Sequence, residues 1–325
     1  MSNKRFWLAL AMGAAITTFA ESGLAEMGFH ISPRSSALVK GEEVWLTFEM
    51  RWSTDVRLPM LPCGADPDIW TEVVYQDGQV REWMNGQAPL RLPKRPPVDW
   101  KAGEPLKGEI SVLPLCEPGE YRLRLHYRLH TDWPDRNQYW DGQVVSNWVQ
   151  VTILEPQGED LQVWQNCLRA VPKKDCQAFR NWYLSQSSFL LARYPTSTYA
   201  GYVLVKLGGG MSLEEASRVT PEVRDQVWYV PTGASREKQE EHRRMVRKKY
   251  EEFVSQARTF LAAHPDFSQR ALLRKQLAIH LFYLDRAQEA WAEVEALSKL
   301  EGPWAEEARA LMECKARSRK SAGGG

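Results

Sequence analysis

The sequence of 325 residues lacks a surplus of charge of either sign. It contains 42 lysine and arginine residues against 41 aspartate and glutamate residues, and its formal net charge at pH 7 is +1. A protein that binds nucleic acid in general depends on an excess of basic residues, because these neutralise the phosphates. The balanced charge argues against such a protein, and we expect no nucleic-acid partner.

Catalytic motifs are absent as well. The sequence has neither the Gly-x-Ser-x-Gly of hydrolase nucleophiles nor the His-Glu-x-x-His of zinc peptidases. The best metal candidates are His126 and His130 with Asp132 nearby, but four residues along a strand separate the two histidines by about 13 Å. We therefore predict a protein that is not an enzyme and has no metal site and no cofactor. An unrecognised hydrolase with dispersed carboxylates is the alternative.

A second apolar run long enough to cross a membrane is also missing. The run over residues 6–20 has no charged residue and follows Lys4 and Arg5. Small residues at Ala20 and Ala25 lie at candidate cleavage positions, which is typical of a secretory signal peptide. We expect residues 1–25 to be a signal peptide, with an uncleaved anchor as the alternative. The protein is then exported, to the periplasm or beyond, and has no membrane span after cleavage.

Cysteine is scarce, and its spacing matches no zinc signature. The five cysteines include no C-x-x-C pair. Cys63 and Cys116 both lie in the first half of the chain, and Cys167 and Cys176 lie close together in the second. In an oxidising compartment these pairs predict two disulfides, Cys63–Cys116 and Cys167–Cys176. Free, buried thiols are the alternative.

A change of apolar period at Pro156 is the clearest feature that the sequence does contain. Before it, apolar residues recur at every second position, as at Val44, Leu46, Phe48, Met50 and Trp52. After it, they recur at intervals of three and four, as at Val246, Tyr250, Phe253, Ala257 and Phe260. The first period places side chains on one face of a strand and the second places them on one stripe of a helix. The sequence therefore predicts an all-β module followed by an all-α module.

Turn residues divide each module into elements. Strands are predicted over 44–52, 55–61, 69–75, 80–84, 106–113, 121–129 and 148–154, with a hairpin turn at Asp77-Gly78. Helices are predicted over 160–171, 175–194, 236–263, 272–284, 286–300 and 304–315. The predicted domains are a β domain over 26–155 and an α-helical domain over 156–318, followed by a disordered tail over 319–325.

The β half resembles the immunoglobulin-like β-sandwich domains of exported bacterial proteins. Three stretches carry the resemblance: KGEEV at 40–44, PGEY at 118–121 and SNWVQV at 146–151. It departs from antibody-type domains because no cysteine lies within strands 44–52 and 121–129. The resemblance implies an antiparallel sandwich that acts as a binding or spacer module.

The last helical hairpin resembles a tetratricopeptide repeat. Leu277, Ala278 and Leu281 occupy packing positions of a first helix, and Ala290, Val294 and Leu297 occupy those of a second. Ala278 stands where the repeat has glycine, and Arg274 stands where it has tryptophan. The resemblance implies a helical-repeat scaffold that binds protein, with a concave face.

Two surfaces of the β half are candidates for binding. Arg122, Arg124, His126 and Arg128 share one face of the strand 121–129 and could bind an anionic partner. The alternative is pairing with acidic residues of neighbouring strands, such as Glu72 and Glu49.

The second surface is a predicted loop between the last two strands. It contains Trp133, Tyr139 and Trp140, whose rings are suited to stacking on sugars or to contacting a protein. The alternative is that these rings cover the end of the sandwich.

These observations favour a non-catalytic scaffold protein of the bacterial cell envelope that binds a protein partner through its helical half. The alternative function is binding of a polysaccharide or of the cell wall by the aromatic loop.

Overall fold

The computed structural model describes residues 27–57, 68–84, 99–112, 115, 117–129, 142–170, 176–209 and 211–322. Its strands are β1 (Met27–Pro33), β2 (Ala37–Val39), β3 (Val44–Trp52), β4 (Val56–Arg57), β5 (Asp68–Val74), β6 (Val80–Met84), β7 (Asp99–Trp100), β8 (Leu106–Val112), β9 (Gly119–Leu129), β10 (Gly142–Val145) and β11 (Val149–Leu154). Its helices are α1 (Gly158–Ala170), α2 (Cys176–Ser185), α3 (Ser187–Arg193), α4 (Thr198–Leu207), α5 (Leu213–Ser217), α6 (Pro221–Val227), α7 (Arg236–Ala263), α8 (Arg270–Tyr283), α9 (Ala287–Ser298) and α10 (Pro303–Ala322).

Two main sheets build the first half of the chain. The smaller has the strand order β1-β3-β8, and both of its pairings are antiparallel. The larger has the order β2-β11-β9-β5-β6, with β10 also paired to β9. Alternate side chains of both sheets meet in one core, which includes Ile31, Leu46, Phe48, Ile110, Val73, Leu123, Leu125 and Ile153. The period of two along strand 44–52 thus predicts β3 and its buried face correctly.

The predicted fold class is wrong. We expected an antiparallel immunoglobulin-like sandwich followed by a tetratricopeptide-like domain, but the larger sheet is mixed. Its edge strand β2 runs parallel to β11, with Thr152 opposite Ala37 and Leu154 opposite Val39. Strand β2 is only three residues long. So short a strand shows no alternation, and no apolar period indicates this pairing.

Helices fill the second half around a separate core. Tyr183, Tyr199, Phe260, Leu273 and Leu297 are among its fully buried side chains. Helix α7 has the bounds that the apolar period predicts. The predicted helix 175–194 is instead two helices, α2 and α3, which are separated at Gln186. Helix α10 continues through residues 319–322, which we expected to belong to a disordered tail.

The two halves are in direct contact around the segment that precedes β3. Tyr199 Oη donates to the carbonyl oxygen of Lys40 at 2.6 Å. Gly41 has φ +86°, and a Cβ at this position would lie 2.7 Å from the ring of Phe179. Arg34 pairs with the buried Glu109 and also donates to the carbonyl oxygen of Ser268 at 3.3 Å. These contacts hold the sheets against helices α2, α4 and the start of α8.

The structure contradicts one of the two predicted disulfides and does not describe the cysteines of the other. Cys167 is a free thiol inside the helical core, so the predicted Cys167–Cys176 bridge is not formed. Burial raises the pKa of Cys167 to about 11, which keeps the thiol protonated at neutral pH. Cys63 and Cys116 lie outside the described residues, as does the predicted signal peptide over residues 1–25.

Candidate binding cleft

The basic strand face lies on β9 and is engaged within the sheet. Glu72 on β5 accepts hydrogen bonds from Arg124 Nε at 2.7 Å and from His126 Nε2 at 2.9 Å. Burial raises the pKa of Glu72, but the hydrogen bonds from His126 and Arg124 outweigh it and hold this pKa below its usual value. The geometry therefore matches cross-strand pairing, the alternative to an anion-binding surface, for two of the four residues.

Arg122 and Arg128, the other two residues of this face, are exposed. Arg122 lies over the ring of Trp148 at 4.9 Å, and Arg124 lies over the same ring at 4.5 Å. Arg128 is exposed and lies opposite Asp68 in the register of β9 and β5. The candidate loop residues Trp133, Tyr139 and Trp140 lie outside the described residues.

A cleft that sequence reasoning missed lies between the start of β3 and the helices. Its volume is about 530 Å³, and its walls come from the residues around β3 and from helices α2, α4, α8 and α10. Side chains that line it include Glu43, Trp45, Tyr183, Tyr202, Gln276 and Trp304.

Strand β3 supplies one wall through Trp45. Its neighbours Val44 and Leu46 point into the core between the sheets, so the pleat places Trp45 on the opposite face. That face would be exposed in an isolated sheet, but the helices cover it and leave Trp45 only 2% exposed. Glu43 accepts a hydrogen bond from Trp45 Nε1 at 3.0 Å and forms an ion pair with Arg180 of α2. The sheet and α2 are thus joined beside the cleft.

Helices α4 and α8 supply the opposite wall, where one amide joins them. Gln276 Nε2 donates to the carbonyl oxygens of Val205 at 2.7 Å and Gly209 at 3.1 Å. A Cβ at Gly208 would overlap the Gln276 side chain, so a larger residue there would have to displace the amide. Gln276 Oε1 is buried and has no partner among the described residues. A glutamine between the apolar Leu273 and Leu277 is the sequence signal that could have revealed this position.

Charge at the cleft is unevenly balanced. Arg180 and Lys206 are its basic lining residues, and Glu43 is its acidic one. The charges of Glu43 and Arg180 cancel each other. Lys206 is exposed and makes no ion pair with any described residue. Burial raises the pKa values of Tyr183 and Tyr202, so both phenols stay neutral at neutral pH. The cleft therefore carries a net positive charge.

A smaller cavity of about 250 Å³ is lined by Glu42 and Ser268, both of which contact Tyr202 Oη. The carboxylate of Glu42 accepts from Val39 N and from Tyr202 Oη at 3.0 Å. Tyr202 Oη also lies 2.8 Å from Ser268 Oγ. Burial raises the pKa of Glu42 to about 7, although these two hydrogen bonds act to lower it. Tyr202 thus connects the wall of the cleft to a buried carboxyl group at the contact between the halves.

Neither a metal centre nor a membrane-spanning helix is found in the part of the chain that the structure describes. No three histidine, cysteine, aspartate or glutamate side chains there are close enough to hold a metal ion together. None of the described helices is both long enough and apolar enough to cross a bilayer.

Comparison with known proteins assigns no family. No family model and no curated protein matches the chain. Among solved structures, a β-glucosidase from Erythrobacter marinus aligns with 40% of this chain and 16% of its own, at 13% identity and a TM-score of 0.25. The sporulation control protein Spo0M of Bacillus subtilis aligns with 44% of this chain and 55% of its own, at 12% identity and a TM-score of 0.23.

An α-2-macroglobulin fragment from Escherichia coli aligns with a larger share of this chain, but its identity and TM-score are no higher. The alignment covers 85% of this chain and 55% of the fragment, at 10% identity and a TM-score of 0.21. The chain thus spans less than two thirds of the length of each of these proteins. At such TM-scores, these similarities establish neither a fold family nor a function.

Proposed function

We propose that the protein is an exported, non-catalytic binding protein that holds a segment of a protein partner in the cleft between its sheets and its helices. The observation that carries this proposal is the cleft itself, which has a volume of about 530 Å³ and is lined by Trp45, Tyr183, Tyr202 and Trp304. Clefts with apolar walls and a few fixed polar groups are typical of the places where proteins bind ligands and partner segments.

The position of the cleft supports the same proposal. Most of its lining residues belong to the helical half, through which we expect the partner to bind. The Glu43–Arg180 ion pair and the Tyr199–Lys40 hydrogen bond tie its two walls together. A cleft with walls that are already fixed loses little conformational entropy when a partner binds.

Site-specific photo-crosslinking tests this proposal on the full chain. The half-buried Leu184, which lines the cleft, is replaced by benzoylphenylalanine, and the protein is irradiated in cell-envelope extract of its source organism. The control carries the same photo-reactive residue at Met245, which is 47% exposed and does not line the cleft. We expect a discrete protein adduct from position 184 that is not formed from position 245.

A second variant shows whether the adduct depends on the cleft. Val205→Trp adds volume to a half-buried lining residue of α4, so it should abolish the adduct from position 184. The circular dichroism of this variant must match that of the parent. An absent adduct, or the same adducts from positions 184 and 245, would contradict the proposed function.

A further inference from the structure

We infer that the cleft selects an acidic peptide segment, which it binds through its net positive charge. This inference rests on the proposed function and specifies the chemistry of the partner. It starts from Lys206, which lines the cleft in the last turn of α4 and is exposed. No described residue forms an ion pair with its ammonium group, so its charge is available to a ligand.

Arg180 is the second cationic residue of the cleft lining. Arg180 is paired with Glu43, yet its side chain keeps 31% of its surface exposed. Guanidinium has five N–H donors, so one carboxylate partner leaves others free to contact a second. An acidic side chain of a ligand can therefore meet Lys206 and the exposed part of Arg180, whereas a basic one meets uncompensated positive charge.

The apolar lining favours a peptide over a glycan. Sugars stack on exposed aromatic faces, but Trp45, Tyr183 and Tyr202 are buried. The fourth aromatic lining residue, Trp304, has Lys275 Nζ over its ring at 4.1 Å. The aliphatic side chains of Leu184, Val205 and Leu272 complete the lining and suit the aliphatic side chains of a peptide. The cleft thus combines cationic groups with an aliphatic floor, which fits a segment that alternates acidic and aliphatic residues.

Fluorescence anisotropy with two short labelled peptides tests the inference. One peptide alternates glutamate with leucine, and the other alternates lysine with leucine. We expect the wild-type protein to bind the glutamate peptide, more weakly as salt rises, and to bind the lysine peptide poorly. Lys206→Glu should weaken binding of the glutamate peptide about tenfold.

The matched control is Lys249→Glu. Lys249 is exposed on α7 and does not line the cleft, so this variant changes the net charge equally and should leave binding unchanged. Equal losses in both variants, equal binding of both peptides, or no binding of the glutamate peptide would overturn the inference. Tighter binding of an anionic polysaccharide such as polygalacturonate, sensitive to Lys206→Glu, would also overturn it in favour of a glycan.

Sequencing the segment crosslinked to position 184 separates this inference from the proposed function. A protein adduct on a neutral or basic segment would overturn the acidic selectivity and leave the binding function standing. The absence of any protein adduct would overturn both the acidic selectivity and the proposed function.

Discussion

Glu42 is a carboxyl group whose burial makes the stability of the protein depend on pH. It is 5% exposed, and its pKa is raised by burial from 4.5 to about 7. The folded protein therefore binds this proton more tightly than the unfolded chain does. By linkage, the contribution to stability is complete below pH 4.5 and is lost as pH rises to 7, by on the order of 3 kcal/mol.

We predict that Glu42→Gln removes this dependence. A neutral amide can still accept from Val39 N. The Tyr202 hydroxyl, which donates to Glu42 in the structure, can rotate to accept from the amide and donate to Ser268 Oγ, and the amide never becomes a buried charge. The variant should come within about 1 kcal/mol of the wild type near pH 5 and should be more stable by about 3 kcal/mol at pH 8.

Urea unfolding between pH 5 and pH 8 measures this difference directly. Glu313→Gln, at an exposed position of α10, is the control and should parallel the wild type at every pH. If the difference between Glu42→Gln and the wild type were the same at pH 5 and pH 8, Glu42 would not be the group that titrates.

At the scale of single elements, the crossing of α4 and α7 depends on the absence of a side chain. A Cβ at Gly201 would overlap the ring of Phe260 and would lie 2.9 Å from the ring of Phe267. Alanine is favoured over glycine in a helix by about 1 kcal/mol, which acts in the opposite direction. Because Phe260 is fully buried, its ring cannot move aside freely, and the steric effect should be the larger one.

We therefore predict that Gly201→Ala destabilises the protein by about 2 kcal/mol in urea unfolding. Gly233→Ala is the control, since nothing lies within 4 Å of a Cβ there, and it should change stability by less than about 0.5 kcal/mol. A Gly201→Ala protein as stable as the control would show that the helices can separate without cost.

Elements with strong periodicity were predictable from the sequence, and short elements were not. Strand β3 and helix α7 have the predicted bounds because a continuous apolar face specifies each of them. Strand β2 pairs parallel to β11 over residues 37–39 and was missed. Three residues cannot show a period of two, and a parallel partner distant in the chain leaves no local signal.

The cleft could not be predicted, because its residues come from segments that only the fold brings together. The pleat of β3 places Trp45 on the face opposite Val44 and Leu46, away from the core between the sheets. The helical half covers that face, and this contact depends on Gly41, Phe179 and Tyr199 rather than on the strand itself. Sequence periodicity reports which face of an element is apolar, but it does not report which element covers the other face.

At the scale of the whole molecule, these contacts predict that the two halves unfold together. Phe179 packs on Gly41 and Trp164, and Arg34 joins Glu109 of β8 to the carbonyl oxygen of Ser268 before α8. Separation of the halves would break the Phe179–Gly41 contact and the Arg34–Ser268 hydrogen bond and would expose the surface buried between them, which opposes separate unfolding. Hydrogen exchange at increasing urea should therefore give the same opening free energy for β3 and for α8.

We predict that Gly41→Ala gives β3 and α8 different opening free energies. Its Cβ would lie 2.7 Å from the ring of Phe179 at a φ of +86°, so the variant adds a clash at the contact to the strain of a left-handed backbone. Gly103→Ala is the matched control, because its φ of +76° imposes similar strain while nothing lies within 4 Å of the added Cβ. We expect Gly103→Ala to lower both opening free energies alike, and Gly41→Ala to make β3 and α8 open at different urea concentrations. Separate openings of β3 and α8 already in the wild type would show instead that the contact is too weak to couple the halves, and that the walls of the cleft can move apart.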